Sequence, residues 1–225
     1  MENKEMQKEL VKRKKSLLRE IIDWILCIVA AFVVAIIIKY FIFTPTLVQQ
    51  RSMTPTVLDG ERVLINRIVR TFHMPINRGD IITFESPIRN LDGSGYAVSE
   101  DGKAQYGERS GLTDFILYDL LELKKVSYIK RVIAMSGDHL ELTEDGEVYI
   151  NGEKLEEPYL PKGLQTPITG EFYDVIVPEG YIFVMGDNRR GSSDSREFGC
   201  IPLDKVEGRV TYRIWPLTRL GKIDK

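Results

Sequence analysis

Cysteine and histidine are nearly missing from this chain: its 225 residues hold two of each. Cys27 lies inside a long apolar run and Cys200 deep in the polar part of the chain, so the two do not pair. The fold must therefore rest on its core, without a disulfide staple. Two cysteines and two histidines this scattered form no ligand cluster, so the reading carries no metal and no cofactor. Charge of one sign is also lacking, with 31 Lys/Arg against 33 Asp/Glu. The part of the chain after the apolar run is acidic, which excludes a nucleic-acid footprint. No internal repeat and no long low-complexity stretch is present.

One long apolar run is present, and it organises the rest. Trp24 to Ile38 carries no charge, Asp23 and Lys39 close its ends, and Tyr40 to Phe43 extend it. About 20 residues span a bilayer core at 1.5 Å per residue, so residues 21–43 are long enough for a single transmembrane helix if Lys39 snorkels outward. Residues 1–20 hold seven basic and four acidic residues, a net of +3; beyond residue 43 the count is 23 basic to 28 acidic, a net of −5. This asymmetry predicts a cytoplasmic basic tail at 1–20 and a large domain, 44–225, on the far side of the membrane. A cleaved signal peptide shares the basic segment and apolar core. Here the run is too long and no Ala-x-Ala site precedes the folded part, so it reads as an uncleaved anchor. Thr44-Pro45 is expected to end the helix.

The 182 residues after Phe43 suffice for a sizeable core, and their pattern is mostly strand. His139 to Thr143 alternates, Asp145-Gly146 gives a type I′ turn signal, Glu147 to Ile150 returns, and Asn151-Gly152 turns again. Segments 62–65, 81–84, 128–134, 173–177, 181–185 and 210–215 are further strand candidates rich in Val, Ile, Tyr and Phe. The fold class is mainly β: one membrane helix, then an antiparallel domain of small coiled sheets. Residues 92–125 break the pattern as an insertion, a Gly/Ser-rich loop at 92–111 followed by a short helix at 113–125 with Thr113 as cap candidate, which reads as packed on the sheet ahead of the alternative, a contact to the membrane surface or a partner.

Ser52, nine positions past the apolar run, is the candidate nucleophile, but a serine hydroxyl needs a neighbouring base. His73 precedes Met74-Pro75 in a loop and His139 opens a hairpin, so both read as surface or turn residues. A neutral lysine is the alternative; with a free pKa of about 10.4 it must be desolvated to serve. Lys130, in the apolar strand Tyr128 to Ala134, shares a face with Tyr128 and Val132, while Arg131 points the other way and is free to stay solvated. Taken alone, a Lys-Arg pair in a strand reads as an exposed edge. A third polar cluster, Gly186 to Arg196, reads as a tight loop in which Asp194 and Arg196 pair and Ser192 offers a hydroxyl.

Four motifs in order behind one apolar run carry a resemblance: Ser52-Met53-Thr54-Pro55, Arg78-Gly79-Asp80-Ile81, Tyr128-Ile129-Lys130-Arg131 with Gly137-Asp138, and Gly186-Asp187-Asn188 with Ser192 to Arg196. The chain resembles the single-span bacterial type I signal peptidases, membrane-bound Ser/Lys endopeptidases. That resemblance implies Ser52 as nucleophile, Lys130 as general base, Ser192 orienting Lys130, and Asp194 with Arg196 holding the site together. It implies Val48, Met53, Tyr128 and Ile129 around pockets for small substrate residues at −1 and −3, with the Ser52 amide stabilising the oxyanion. It also implies secretory preproteins as substrates, membrane lipid as a neighbour, and the translocation machinery as a candidate partner. Gln50 departs from the family, which commonly has Ser or Gly there; its side-chain amide is the candidate replacement donor. Arg190 stands where the family is often acidic. A cytosolic autoproteolytic repressor would need a DNA-binding domain in place of the apolar run, and a tethered β-domain that only binds would not need Ser52 and Lys130 together.

Overall fold

A computed structural model describes residues 2–123 and 125–223, with side chains from residue 17 onward. It divides into two units, Met1–Tyr40 and Phe41–Lys225. The first is one helix, α1 (Glu2–Phe41), whose stretch Leu17–Phe41 has a mean hydropathy of 3.0. Its 25 residues exceed what a bilayer core requires. The helix stops at Phe41, not Phe43. Phe43, Thr44 and Pro45 already belong to β1 (Phe43–Leu47), so Thr44-Pro45 sits inside a strand and is not the helix terminator expected. Pro45 is tolerated because β1 is an edge strand, where a missing N–H breaks no ladder.

The second unit contains two antiparallel sheets. The larger runs in the order β1, β2 (Arg62–Asn66), β11 (Val206–Trp215), β3 (Ile81–Glu85), β4 (Ser127–Met135), β9 (Tyr181–Met185) and β10 (Ile201–Pro202), with β12 (Gly221–Lys222) paired to β11. The smaller runs β7 (Glu153–Lys154), β6 (Val148–Ile150), β5 (His139–Leu142) and β8 (Asp174–Ile176). Both hairpin signals produce turns, by different geometries. Asn151 and Gly152 both have positive φ, as a type I′ turn demands. At the first turn only Gly146 does (φ 78°), and Thr143 N–H bonds the Glu147 carbonyl, so the loop is one residue longer than the two-residue type expected.

β9 is apolar at every position because both its faces are covered. Ile182 and Val184 join a core with Phe84, Tyr128, Val132 and Phe198, while Phe183 and Met185 face a second core with Leu140, Leu142 and Val148. A third core, of Val48, Met53, Val57, Val63, Ile65 and Val210, lies under the chain that carries Ser52. Cys200 is buried in the second core, and burial pushes its thiol up to about 12, which leaves it inert.

The insertion differs from expectation. Its first half is tied down by the bridges Arg89–Tyr96, Val98–Ala104 and Lys103–Cys200, with Tyr96 and Ala104 in the first core. The helix is short: α3 (Leu112–Asp114) passes directly into a π turn (Phe115–Leu120), Gly111 holds the cap position in place of Thr113, and no residue from 112 to 120 is buried. It is therefore not packed on the sheet. Two turns in changing register cannot align an apolar stripe, which leaves Leu112, Phe115 and Leu117 exposed.

Candidate active site

Ser52 sits in a tight turn between β1 and β2 that Thr54 N–H to Arg51 O and Val57 N–H to Met53 O close, with a cis peptide bond at Thr54-Pro55. Met53 is wholly buried in the third core and lines neither of the two cavities beside the serine, so it holds the turn down from below. Across from the turn, Lys130 lies in β4 with Tyr128 and Val132 buried on its own face. Lys130 Nζ is 2.9 Å from Ser52 Oγ, and both residues are at most 5 % exposed. Burial drives the lysine down to about 8, against the opposing pull of the Asp194 carboxylate. Tyr128 presents its ring 5.3 Å from Nζ. The Tyr128 hydroxyl lies 3.0 Å from that of Tyr96, to which Arg89 Nη2 donates at 3.0 Å. The insertion thus reaches the wall of the site, a role its sequence did not announce.

Arg131 does not stay solvated. It is fully buried and donates through Nε and Nη2 to both Asp187 oxygens, at 2.9 and 2.8 Å. Asp187 also accepts from Thr56, four residues past Ser52, and Arg131 Nη1 donates to the Gly79 carbonyl. The alternation reading failed because β4 is covered on both faces where it meets β9. The same loop grips the nucleophile turn directly: Asn188 N–H donates to the Ser52 carbonyl at 3.0 Å and its side chain to the Arg51 carbonyl at 3.1 Å. Among the described residues the Ser52 N–H has no acceptor. Asn188 and Asp187 were legible only as parts of a motif, without roles.

Asp194 and Arg196 pair as expected, through Nε to Oδ1 and Nη2 to Oδ2, both at 2.8 Å. Asp194 also caps α4 (Ser195–Phe198) and accepts from Gly186 N–H at 2.9 Å, which binds the whole 186–196 loop to itself. Ser192 is close by, since a Cβ on Gly186 would lie 2.2 Å from its Oγ and 2.4 Å from the Ser52 carbonyl; only glycine fits there. The hydrogen bond from Ser192 to Lys130 is not made, however, and Ser192 Oγ is buried without a partner among the described residues. Gln50 is exposed and makes no hydrogen bond among the described residues, and Arg190 is likewise exposed. His73 lies in the loop after α2 (Ile68–Thr71), and His139 pairs with Asp174 in the smaller sheet; neither lines the cavity at Ser52.

Two adjoining cavities open beside the dyad. One, of about 380 Å³, is lined by Gln50, Ser52, Tyr128, Lys130 and Ser193. The other, of about 360 Å³, shares Gln49, Gln50 and Tyr128 with it and runs on between Val48 and Ile129 over Val63 and Ile65. From Ser127 to Lys130, β4 pairs with β3 alone, because pairing to β9 starts at Arg131; its other edge there is open along the groove.

The model of the family described as "Signal peptidase, peptidase S26" matches residues 21–215. The chain is 33 % identical to signal peptidase IB of Staphylococcus aureus (strain COL), over 89 % of this chain and 92 % of that one. It is 34 % identical to signal peptidase I of Bacillus licheniformis, over 90 % and 92 % of the two chains. A crystal structure of a signal peptidase I from Enterococcus faecalis V583 aligns at 31 % identity, over 61 % of this chain and 97 % of the other, with a TM-score of 0.39. On the sequence matches, over nearly its whole folded length, the chain belongs to the signal peptidase family, peptidase S26.

Proposed function

We propose that this protein is a membrane-anchored endopeptidase that removes signal peptides from exported preproteins, cutting after a small residue with Ser52 as nucleophile and Lys130 as base. One observation carries the proposal: a serine hydroxyl and a desolvated lysine amine 2.9 Å apart at the floor of a groove. Neutral Lys130 takes the Ser52 proton as Oγ adds to the scissile carbonyl, and the free Ser52 N–H donates to the oxyanion. The resulting ammonium returns that proton to the leaving amine as the C–N bond breaks, which leaves an ester on Ser52. Lys130 then deprotonates water, the hydroxide adds to the ester, and Oγ leaves with the proton.

The open edge at 127–130 suits an extended peptide laid alongside as an added strand. Val48, Ile129 and Tyr128 then bound the space for the side chains at −1 and −3. Asp194 and Arg196 keep the loop behind Lys130 rigid. The apolar helix anchors the chain, with the +3 tail cytoplasmic and the catalytic unit outside. Intact spheroplasts bearing the protein, given a labelled preprotein in the medium, should cut it, and those bearing Ser52→Ala should not. No cleavage by the wild type before or after lysis would sink the activity; cleavage only after lysis would reverse the topology.

A further inference from the structure

One wall of the site is held in place from outside the four motifs. Tyr128 borders both cavities beside the dyad, and its ring lies 5.3 Å from Lys130 Nζ. Phe84 meets that ring edge-on at 6.1 Å, and Phe198 lies 6.4 Å from it. Such apolar contacts hold the ring's body, but a buried phenol also needs a partner for its hydroxyl. Tyr96, from the insertion, supplies one: the two hydroxyls lie 3.0 Å apart and both residues are buried. Arg89 and Ser86 also bond the Tyr128 hydroxyl, but Arg89 is exposed and Ser86 half-buried. The bond made away from water is the one that fixes the hydroxyl most firmly.

Tyr96 is itself tied down. Its ring stands edge-on to Phe198 at 5.2 Å. Arg89, just ahead of the insertion, donates Nη2 to its hydroxyl at 3.0 Å and sets Cζ 4.9 Å from its ring centroid. The two residues face each other across a backbone bridge, flanked by Asn90 N–H to Gly95 O and Ala97 N–H to Ile88 O. Further along, Ala104 N–H donates to Cys200 O at 2.9 Å and Cys200 N–H to Gly102 O at 2.8 Å. These bonds lock the insertion to the chain that follows α4. A hydroxyl carried on so fixed a frame confines the ring that it bonds.

We propose that Tyr96, backed by Arg89, is a positioning residue for the dyad: it fixes the Tyr128 ring, and through it the size of the −1 pocket and the exclusion of water from Lys130. The proposal rests on the peptidase reading above. Tyr128 acts on the reaction twice, as a wall against the side chain at −1 and as a cover over the amine. A ring released from Tyr96 widens the pocket and admits water. Water favours the ammonium, so Lys130 then titrates above its value of about 8. The other groups that act on Lys130 are Asp194, Arg196 and Glu197, at the start of α4. They stay in place when Tyr96→Phe keeps its ring against Phe198.

The test uses the full-length protein in proteoliposomes and two labelled preproteins, with Ala or Val at −1. The wild type should favour Ala in kcat/KM. Tyr96→Phe removes one oxygen and should lower the Ala/Val ratio by roughly fivefold, the scale of one hydrogen bond. It should also move the midpoint of the pH profile on the Ala substrate upward. Arg89→Leu should shift both readouts the same way by less, and the two changes together by more than either. In a Tyr128→Phe background, which has no hydroxyl to hold, Tyr96→Phe should add nothing to either readout. A ratio and a midpoint both unchanged in Tyr96→Phe would overturn the positioning role. So would an effect of equal size with and without the Tyr128 hydroxyl, which a merely structural role would give. No cleavage of either substrate by the wild type would sink the peptidase reading, and this role with it.

Discussion

Ser52→Ala and Lys130→Ala are each expected to lower kcat for preprotein cleavage by roughly 10⁴-fold or more, the scale on which triad members fail when removed singly. The double variant should be little worse than either single one, because the pair acts as one unit: without the base the hydroxyl is not activated, and without the hydroxyl the base has nothing to deprotonate. Folding should be unharmed. Ser52→Ala removes one oxygen, and Lys130→Ala removes an amine whose burial favours its neutral form. Lys130→Arg should be equally inactive, because a guanidinium keeps its proton. Gln50→Ala, His73→Ala and His139→Ala should stay within a few-fold of wild type. Gln50 is exposed and unbonded, and neither histidine lines the cavity. Purified variants in steady-state kinetics decide this. A histidine variant as inactive as Ser52→Ala would overturn the lysine mechanism, and a Gln50→Ala loss near 10²-fold would make its amide an oxyanion donor.

The second large effect falls on stability. Arg131→Met should cost about 3–5 kcal/mol, because it strands the Asp187 carboxylate, itself fully buried, without its bidentate partner. Asp187 also accepts from Thr56 in the turn after Ser52, so activity should fall at temperatures where the variant is still folded. Denaturant unfolding of the full chain in detergent, variant beside wild type, measures the loss. Replacing both partners with apolar residues should recover much of it, since the penalty lies in the unpaired charge. A loss below about 1 kcal/mol in Arg131→Met would show that the pair is not buried as described.

What the sequence made legible was local. The alternation of Tyr128, Lys130 and Val132 marked one buried face, and Asn151-Gly152 marked a hairpin; both depend only on residues within a strand or turn. The burial of Arg131 was not legible because it depends on Asp187, 56 positions away, and on coverage of the second face of β4. The grip of Asn188 on the Ser52 carbonyl was hidden for the same reason, though the need for glycine at 186 is explained once Ser192 and Ser52 are seen against it. Thr44-Pro45 looked like a helix stop because proline breaks helices, yet the helix ends at Phe41 and an edge strand absorbs Pro45. In the insertion, a plausible cap and basic end at 113–125 suggested a packed helix. Its apolar residues follow no single period, so the chain there is short, exposed and held by its ends, Glu122 to Arg67 and Lys125 to Glu207.

The central claim is that Lys130 must be neutral to act. The most direct measurement is kcat/KM of the wild type against pH on one preprotein substrate. Burial lowers the lysine to about 8, so the reactive neutral form predominates above that pH and declines about tenfold for each unit below it. The account predicts a rate that rises with pH through a single ionisation near 8 and then levels off. A rate that stays flat from pH 9 down to pH 6 would contradict it.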